Sequence, residues 1–153
     1  MAIRPDRTAT GSIIRLVNMG VEPFLITSSV ILVAAERLVR KLCTACREPY
    51  KIDKGTCEKL SIKYETGLTF YRSKGCDKCL HTGYKGRLGL IETLMLTPRI
   101  RELIASKAQE YQLREAARAE GMKTLRENGI KKVKDGITSL EEILRLTVGD
   151  QNI

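Results

Sequence analysis

Apolar side chains at Ile13, Ile14 and Val17, with Met19 near the end, recur at helical spacing between a threonine and a glycine. Thr10 is the expected N-cap and Gly20 the stop. Pro23 suits a first helical turn and predicts a second helix through Phe24, Ile26, Val30, Ile31, Val33 and Ala34. β-Branched residues crowd its far end, where their stiff side chains work against the helix, so the pattern leaves that boundary open. Glu36 to Leu42 sets Leu38, Val39 and Leu42 between basic residues and reads as a short strand running into Cys43.

Further on, Thr56 to Leu60 predicts a helical turn, and Leu68 to Tyr71 is β-prone. Gly83, Gly86 and Gly89 mark a loop giving way to strand, and Arg87 to Leu96 reads as that strand. Beyond it the pattern turns helical. Thr97-Pro98 is a cap with proline at the first helical position, and Ile100, Leu103 and Ile104 form the stripe behind it. Gln109 to Glu120 uses Leu113, Ala116 and Ala117 and stops at Gly121. Met122 to Asn128 predicts a further helix ended by Asn128-Gly129, and Ser139-Leu140-Glu141-Glu142 reads as a capping box opening the last one. Residues 149–153 read as a frayed tail. The predicted class is α+β, mostly α: a short β-hairpin of Glu36–Leu42 and Arg87–Leu96, then a helical bundle.

With 42% hydrophobic and 29% charged residues in 153, the composition is that of a globular chain. No apolar run approaches the ~18 residues of a membrane span, and the first residues are too polar for a secretory signal. Lys and Arg outnumber Asp and Glu by 27 to 18. That excess attracts polyanions. The aromatic share of 5% leaves few platforms for stacking bases.

Candidate chemistry sits in the cysteines. Cys43 and Cys46 form one Cys-x-x-Cys pair, Cys76 and Cys79 a second, with 29 residues between the pairs. Two residues between thiolates let a tight turn aim both sulfurs at one point, and two such turns complete a closed tetrahedral site suited to structural Zn²⁺. Iron accepts the same four ligands. A redox dithiol needs only one pair, and a disulfide framework fits poorly with a fifth cysteine. Cys57 reads as a small buried hydrophobe, and His81 is the one alternative ligand nearby. Four thiolates leave no open position for water, so the metal is architectural rather than catalytic. The hairpin places this module at its tip. There is no phosphate-binding loop, nucleophile elbow or dinucleotide fingerprint.

Read in order, these pieces resemble one family. Met19-Gly20-Val21-Glu22-Pro23-Phe24, then Ser28-Ser29, then Glu36-Arg37-Leu38-Val39-Arg40 into Cys-x-x-Cys resemble the C-terminal part of the hexameric ATPases of type II secretion and type IV pilus assembly. Gly75-Cys76-x-x-Cys79, Gly83-Tyr84-Lys85-Gly86-Arg87-x-Gly89 and Glu92 do the same. The resemblance extends from about Ile13 to Leu146.

It implies that the chain is a fragment of a RecA-like ATPase. Residues 1–42 would be the end of the ATPase core, 43–80 a zinc-binding insertion, 81–97 the return strand and 98–148 a C-terminal helical subdomain. Pro5 to Ala9 holds the place of the family's histidine box without a histidine, as a fragment starting just past that box would, the simpler reading, or as a diverged box would. Glu36 departs from the family's glutamine. Arg37, Arg40 and Arg87 become candidates for facing nucleotide or a neighbouring subunit, against the plainer reading of a solvated basic face. The same plain reading holds for Lys131, Lys132 and Lys134.

The implied partners are neighbouring subunits of a hexameric motor and inner-membrane platform proteins. The implied location is cytoplasmic and peripheral at the inner membrane, with ATP and Mg²⁺ needed only in the intact motor. The fragment alone is not expected to hydrolyse ATP, nor to bind nucleic acid directly. The alternative is a free-standing zinc-ribbon nucleic-acid binder, which the charge favours and the helical tail does not. A thiol redox protein is a third reading.

Overall fold

The computed structural model describes residues 8–59, 62 and 67–147. The chain is α+β and mostly helical. Its elements are α1 (Ala9–Asn18), α2 (Pro23–Ser29), β1 (Leu32–Leu42), β2 (Glu48–Tyr50), α3 (Lys54–Lys59), β3 (Phe70–Arg72), β4 (Tyr84–Met95), α4 (Pro98–Ala105), α5 (Glu110–Ala119), α6 (Leu125–Lys134) and α7 (Leu140–Leu146), with a 3₁₀ turn at Asp77–Cys79. β1 pairs with β4, and β2 with β3. Two compact units result. One takes the chain up to Glu36 and Ile91–Leu125, the other Arg37–Leu90 and the chain from Arg126 onward.

The first unit is built on α1, α2, α4 and α5. Ile13, Ile26, Leu94, Ile100, Ile104 and Leu113 pack in its core, each at most 2% exposed. Burying such side chains contributes roughly 1.5–3 kcal/mol each. Glu92 is the exception in that apolar setting. Its carboxylate, 1% exposed, accepts the Ala9 amide at 2.8 Å and the Leu125 amide at 3.2 Å. One buried carboxyl group thus serves the first amides of both α1 and α6, which have no partner within their own helices.

In the second unit β2 and β3 run antiparallel, with Glu48 opposite Arg72 and Tyr50 opposite Phe70. Phe70 is fully buried and its ring lies 6.1 Å from that of Tyr50. Val39, Leu42, Leu90, Val133 and Ile143 are buried in the same unit.

Several predicted boundaries moved, among them the starts of β4 (Tyr84 rather than Arg87) and α6 (Leu125 rather than Met122). The first cap is Thr8, which is extended (φ −133°, ψ 157°) and accepts the Gly11 amide at 3.0 Å. Thr10 is already helical and hydrogen-bonds Thr8 and Glu110 instead. The second helix ends at Ser29 rather than continuing to Ala34. Ile31 accepts the Leu96 amide at 2.9 Å, so the β-branched run enters the strand ladder, where its stiff χ1 is favoured. Asn128-Gly129 does not stop a helix, because α6 runs through it to Lys134. A Cβ on Gly129 would lie 2.8 Å from Cγ2 and 2.9 Å from Cδ1 of Ile143, so this glycine provides close approach rather than a turn. The capping box is half formed. Ser139 accepts the Glu142 amide at 3.2 Å, but the Glu142 carboxylate turns to Arg40 and Arg145.

Gly129→Ala tests that close approach. Alanine should add about 1 kcal/mol of helix propensity, while crowding fully buried Ile143 should cost about 1–3 kcal/mol. A lowered urea midpoint is expected, and a raised one would show that Ile143 yields freely.

Candidate metal centre

The ends of the β1–β4 ribbon place the two cysteine pairs. Cys43 follows β1 directly, and its amide donates to Gly83 O at 2.9 Å, one residue before β4. The Cys43 carbonyl then accepts the Cys46 amide at 3.2 Å and the Arg47 amide at 3.0 Å, closing the first turn. In the second turn Cys76 O accepts the amides of Cys79 at 3.1 Å and His81 at 2.9 Å. Glycine is required at both of its ends. At Gly75 (φ +108°) a Cβ would sit 2.6 Å from the His81 carbonyl oxygen, and at Gly83 (φ +75°) 2.4 Å from Ser73 Cβ. Only a residue without Cβ lets the chain pass itself so closely.

The four sulfurs converge. Cys43 and Cys76 Sγ lie 4.0 Å apart, Cys46 and Cys79 3.8 Å, Cys76 and Cys79 3.8 Å, and all four lie within 4.8 Å of one another. A zinc ion with bonds of about 2.3 Å separates its ligands by about 3.8 Å along a tetrahedral edge. The donor set and spacing therefore fit one tetrahedral thiophilic ion, which would serve as a closed staple with no position left for substrate. All five cysteines are unbridged.

The surroundings favour thiolates unevenly. Burial pushes the Cys79 thiol up, yet amide bonds from Cys76 and Gly83, each 3.2 Å from the sulfur, bring it down to about 6. Cys46 is pushed up to about 12 by burial, which the Gly75 amide only partly offsets, and by the neighbouring thiols. Residues 37–90 hold thirteen Lys and Arg against five Asp and Glu. Such surroundings suit a centre whose four thiolates and one divalent ion would sum to −2.

The other candidates lie elsewhere. Cys57 is fully buried on α3, outside the cluster, where burial pushes its thiol up. His81 is exposed and its Nε2 sits 3.1 Å from Asp77. Arg37 is half-buried on β1, and its Nη2 is enclosed with no hydrogen-bond partner among the described residues. Arg40 donates from Nη2 to Glu142 at 2.7 Å and lies 4.1 Å above the Tyr84 ring, so its guanidinium is engaged within the chain. Arg87 is exposed. The sequence reading missed Glu142, since a glutamate three residues after a serine cap carries its own local explanation. It also missed Arg47, which lies 4.4 Å above the Tyr71 ring.

Four thiols converging at the end of a two-stranded ribbon make a group that could hold a metal ion. The family described as type II/IV secretion system protein matches residues 6–145, and the chain belongs to it. It is 46% identical over 147 residues, 96% of its length, to the type II secretion system ATPase E of Vibrio cholerae. It is 41% identical to the type IV pilus assembly ATPase TfpB of Acinetobacter baylyi and 42% to the type IV pilus assembly ATPase PilB of Thermus thermophilus, over 90% and 92% of its length. The chain spans 29%, 24% and 16% of those three relatives. Among the described residues no helix is long and apolar enough to cross a membrane.

Serine at Cys43, Cys46, Cys76 or Cys79 should abolish stable metal binding, while Cys57→Ser should keep it. Elemental analysis after desalting checks this, and metal loss from the Cys57 variant alone would reassign the ligands.

Proposed function

We propose that the chain is the zinc-stabilised C-terminal module of a bacterial secretion or pilus-assembly motor ATPase. The observation that carries this reading is the convergence of four thiols in a chain of that family. Cys43, Cys46, Cys76 and Cys79 hold Zn²⁺, which fixes the insertion at the end of β1 and β4. The module supplies structure and subunit contacts in the motor. It helps couple ATP hydrolysis, performed with Mg²⁺ elsewhere in the parent protein, to platform proteins at the cytoplasmic face of the inner membrane. Arg37, Arg40 and Arg87 are the arginines offered to a neighbouring subunit or nucleotide, Arg40 while paired with Glu142 and still about half exposed. The chain itself has no Gly-x-x-x-x-Gly-Lys-Ser/Thr loop to cradle phosphates.

A chimera tests this. This chain should replace the matching region of the Vibrio cholerae type II secretion system ATPase E and restore at least part of its secretion. The same chimera with Cys43→Ser and Cys76→Ser should fail. Equal secretion by both would remove the metal from the proposal. Salt-steep binding of the isolated chain to DNA would instead favour the nucleic-acid reading.

A further inference from the structure

The turn between α6 and α7 is bonded, residue after residue, to residues that flank the cysteines. Gly136 O accepts from the Arg47 guanidinium, one residue past Cys46. Ile137 O accepts the Leu42 amide at 2.9 Å, one residue before Cys43. The Thr138 hydroxyl donates to Arg40 O at 2.8 Å, and Ser139 Oγ lies 2.7 Å from the Tyr84 hydroxyl, one residue past Gly83. One turn further on, Glu142 holds both the Arg40 amide (3.2 Å) and the Arg40 guanidinium.

These bonds are buried at one end and costly to leave unmade. Thr138, Ser139 and Glu142 are each at most 2% exposed. Burial pushes the Glu142 carboxyl up, but its bonds from Arg40 and Arg145 hold it below the ordinary carboxylate range, so it is an anion needing those partners. Gly136 has no room to shift either. It is in the left-handed region (φ +68°), and a Cβ there would lie 2.9 Å from the Tyr71 ring and 3.0 Å from the Arg47 guanidinium. The first cysteine turn is therefore braced on both sides, and Tyr84 just past the second, by one segment more than fifty residues away along the chain.

We infer that Gly136–Ser139 and Glu142 are positioning residues for the metal centre, so that metal occupancy and the docking of α7 are a single coupled equilibrium. The inference rests on the metal-binding reading above. Groups bonded directly to metal ligands commonly change affinity 10–100-fold; a brace on the residues flanking Cys43 and Cys46 acts in the same direction at one remove, and coupling of this kind is reciprocal. A ligand set held from outside should lose metal faster when the brace is cut, and α7 should loosen when the metal leaves. The first unit, with α4 and α5, contributes none of these bonds.

The experiment uses the zinc-loaded full chain. Zinc release to a chromophoric chelator is timed, and amide exchange is compared before and after stripping. Release should quicken about 10-fold in Glu142→Gln, and measurably in Tyr84→Phe, which loses only the hydroxyl on Ser139. Glu115→Gln, exposed on α5, should release at the wild-type rate. Stripping should raise exchange at 137–147 together with 43–47 and 76–83, leaving 98–119 unchanged. Zinc-binding wild type whose 137–147 stays protected after stripping would overturn the coupling while the metal site stands. Wild type that takes up no metal would overturn both.

Discussion

Four sulfurs that repel one another as thiolates must meet at one point, and the second unit is arranged around that requirement. Bringing the two pairs together across 29 residues costs about 3 kcal/mol in loop closure, from the logarithmic dependence on length. Structural zinc sites supply about 10–16 kcal/mol of binding free energy, which would comfortably offset it. The insertion needs such help. Between the pairs, the described residues place only Cys57, Ile62 and Phe70 in the apolar interior. The ribbon reduces the problem further, because the Cys43–Gly83 bond already brings the two cysteine turns side by side.

That geometry separates two kinds of rigidity. The first unit is held by an apolar core in which a single carboxylate, Glu92, satisfies two helix starts. The second depends on polar bonds and converging thiols at its cysteine end, with Phe70, Val133 and Ile143 buried elsewhere in it. An apolar core resists loss of any one contact by degrees. A closed metal site does not, since removing one of four ligands opens the whole coordination sphere.

The site was legible because cysteine spacing is local chemistry: two residues between thiols define a turn wherever the turn is placed. The helices after Pro98 were legible for the same reason, through their caps and stripes at Thr97, Leu113 and Ser139. What was not legible depended on distant partners. Asn128-Gly129 reads as a stop until Ile143 is placed against it. Ile31 reads as helix until Leu96 offers a strand partner. Glu142 reads as a cap until Arg40 arrives from a hundred residues upstream. In each case a local preference of about 1 kcal/mol or less yielded to tertiary contact.

Both units are discontinuous along the chain, and this has a consequence for the order of synthesis. Glu92 joins Ala9 to Leu125, so the first unit cannot close until its later segment has left the ribosome. The cysteines emerge before that point, and the turn at Gly136–Ser139 after it. A nascent chain would therefore hold all four thiols for a time without the segment that braces them. Contacts of such long sequence separation form slowly. Thiols awaiting their supports are exposed to oxidation, and an ion captured early would protect them until α7 arrives.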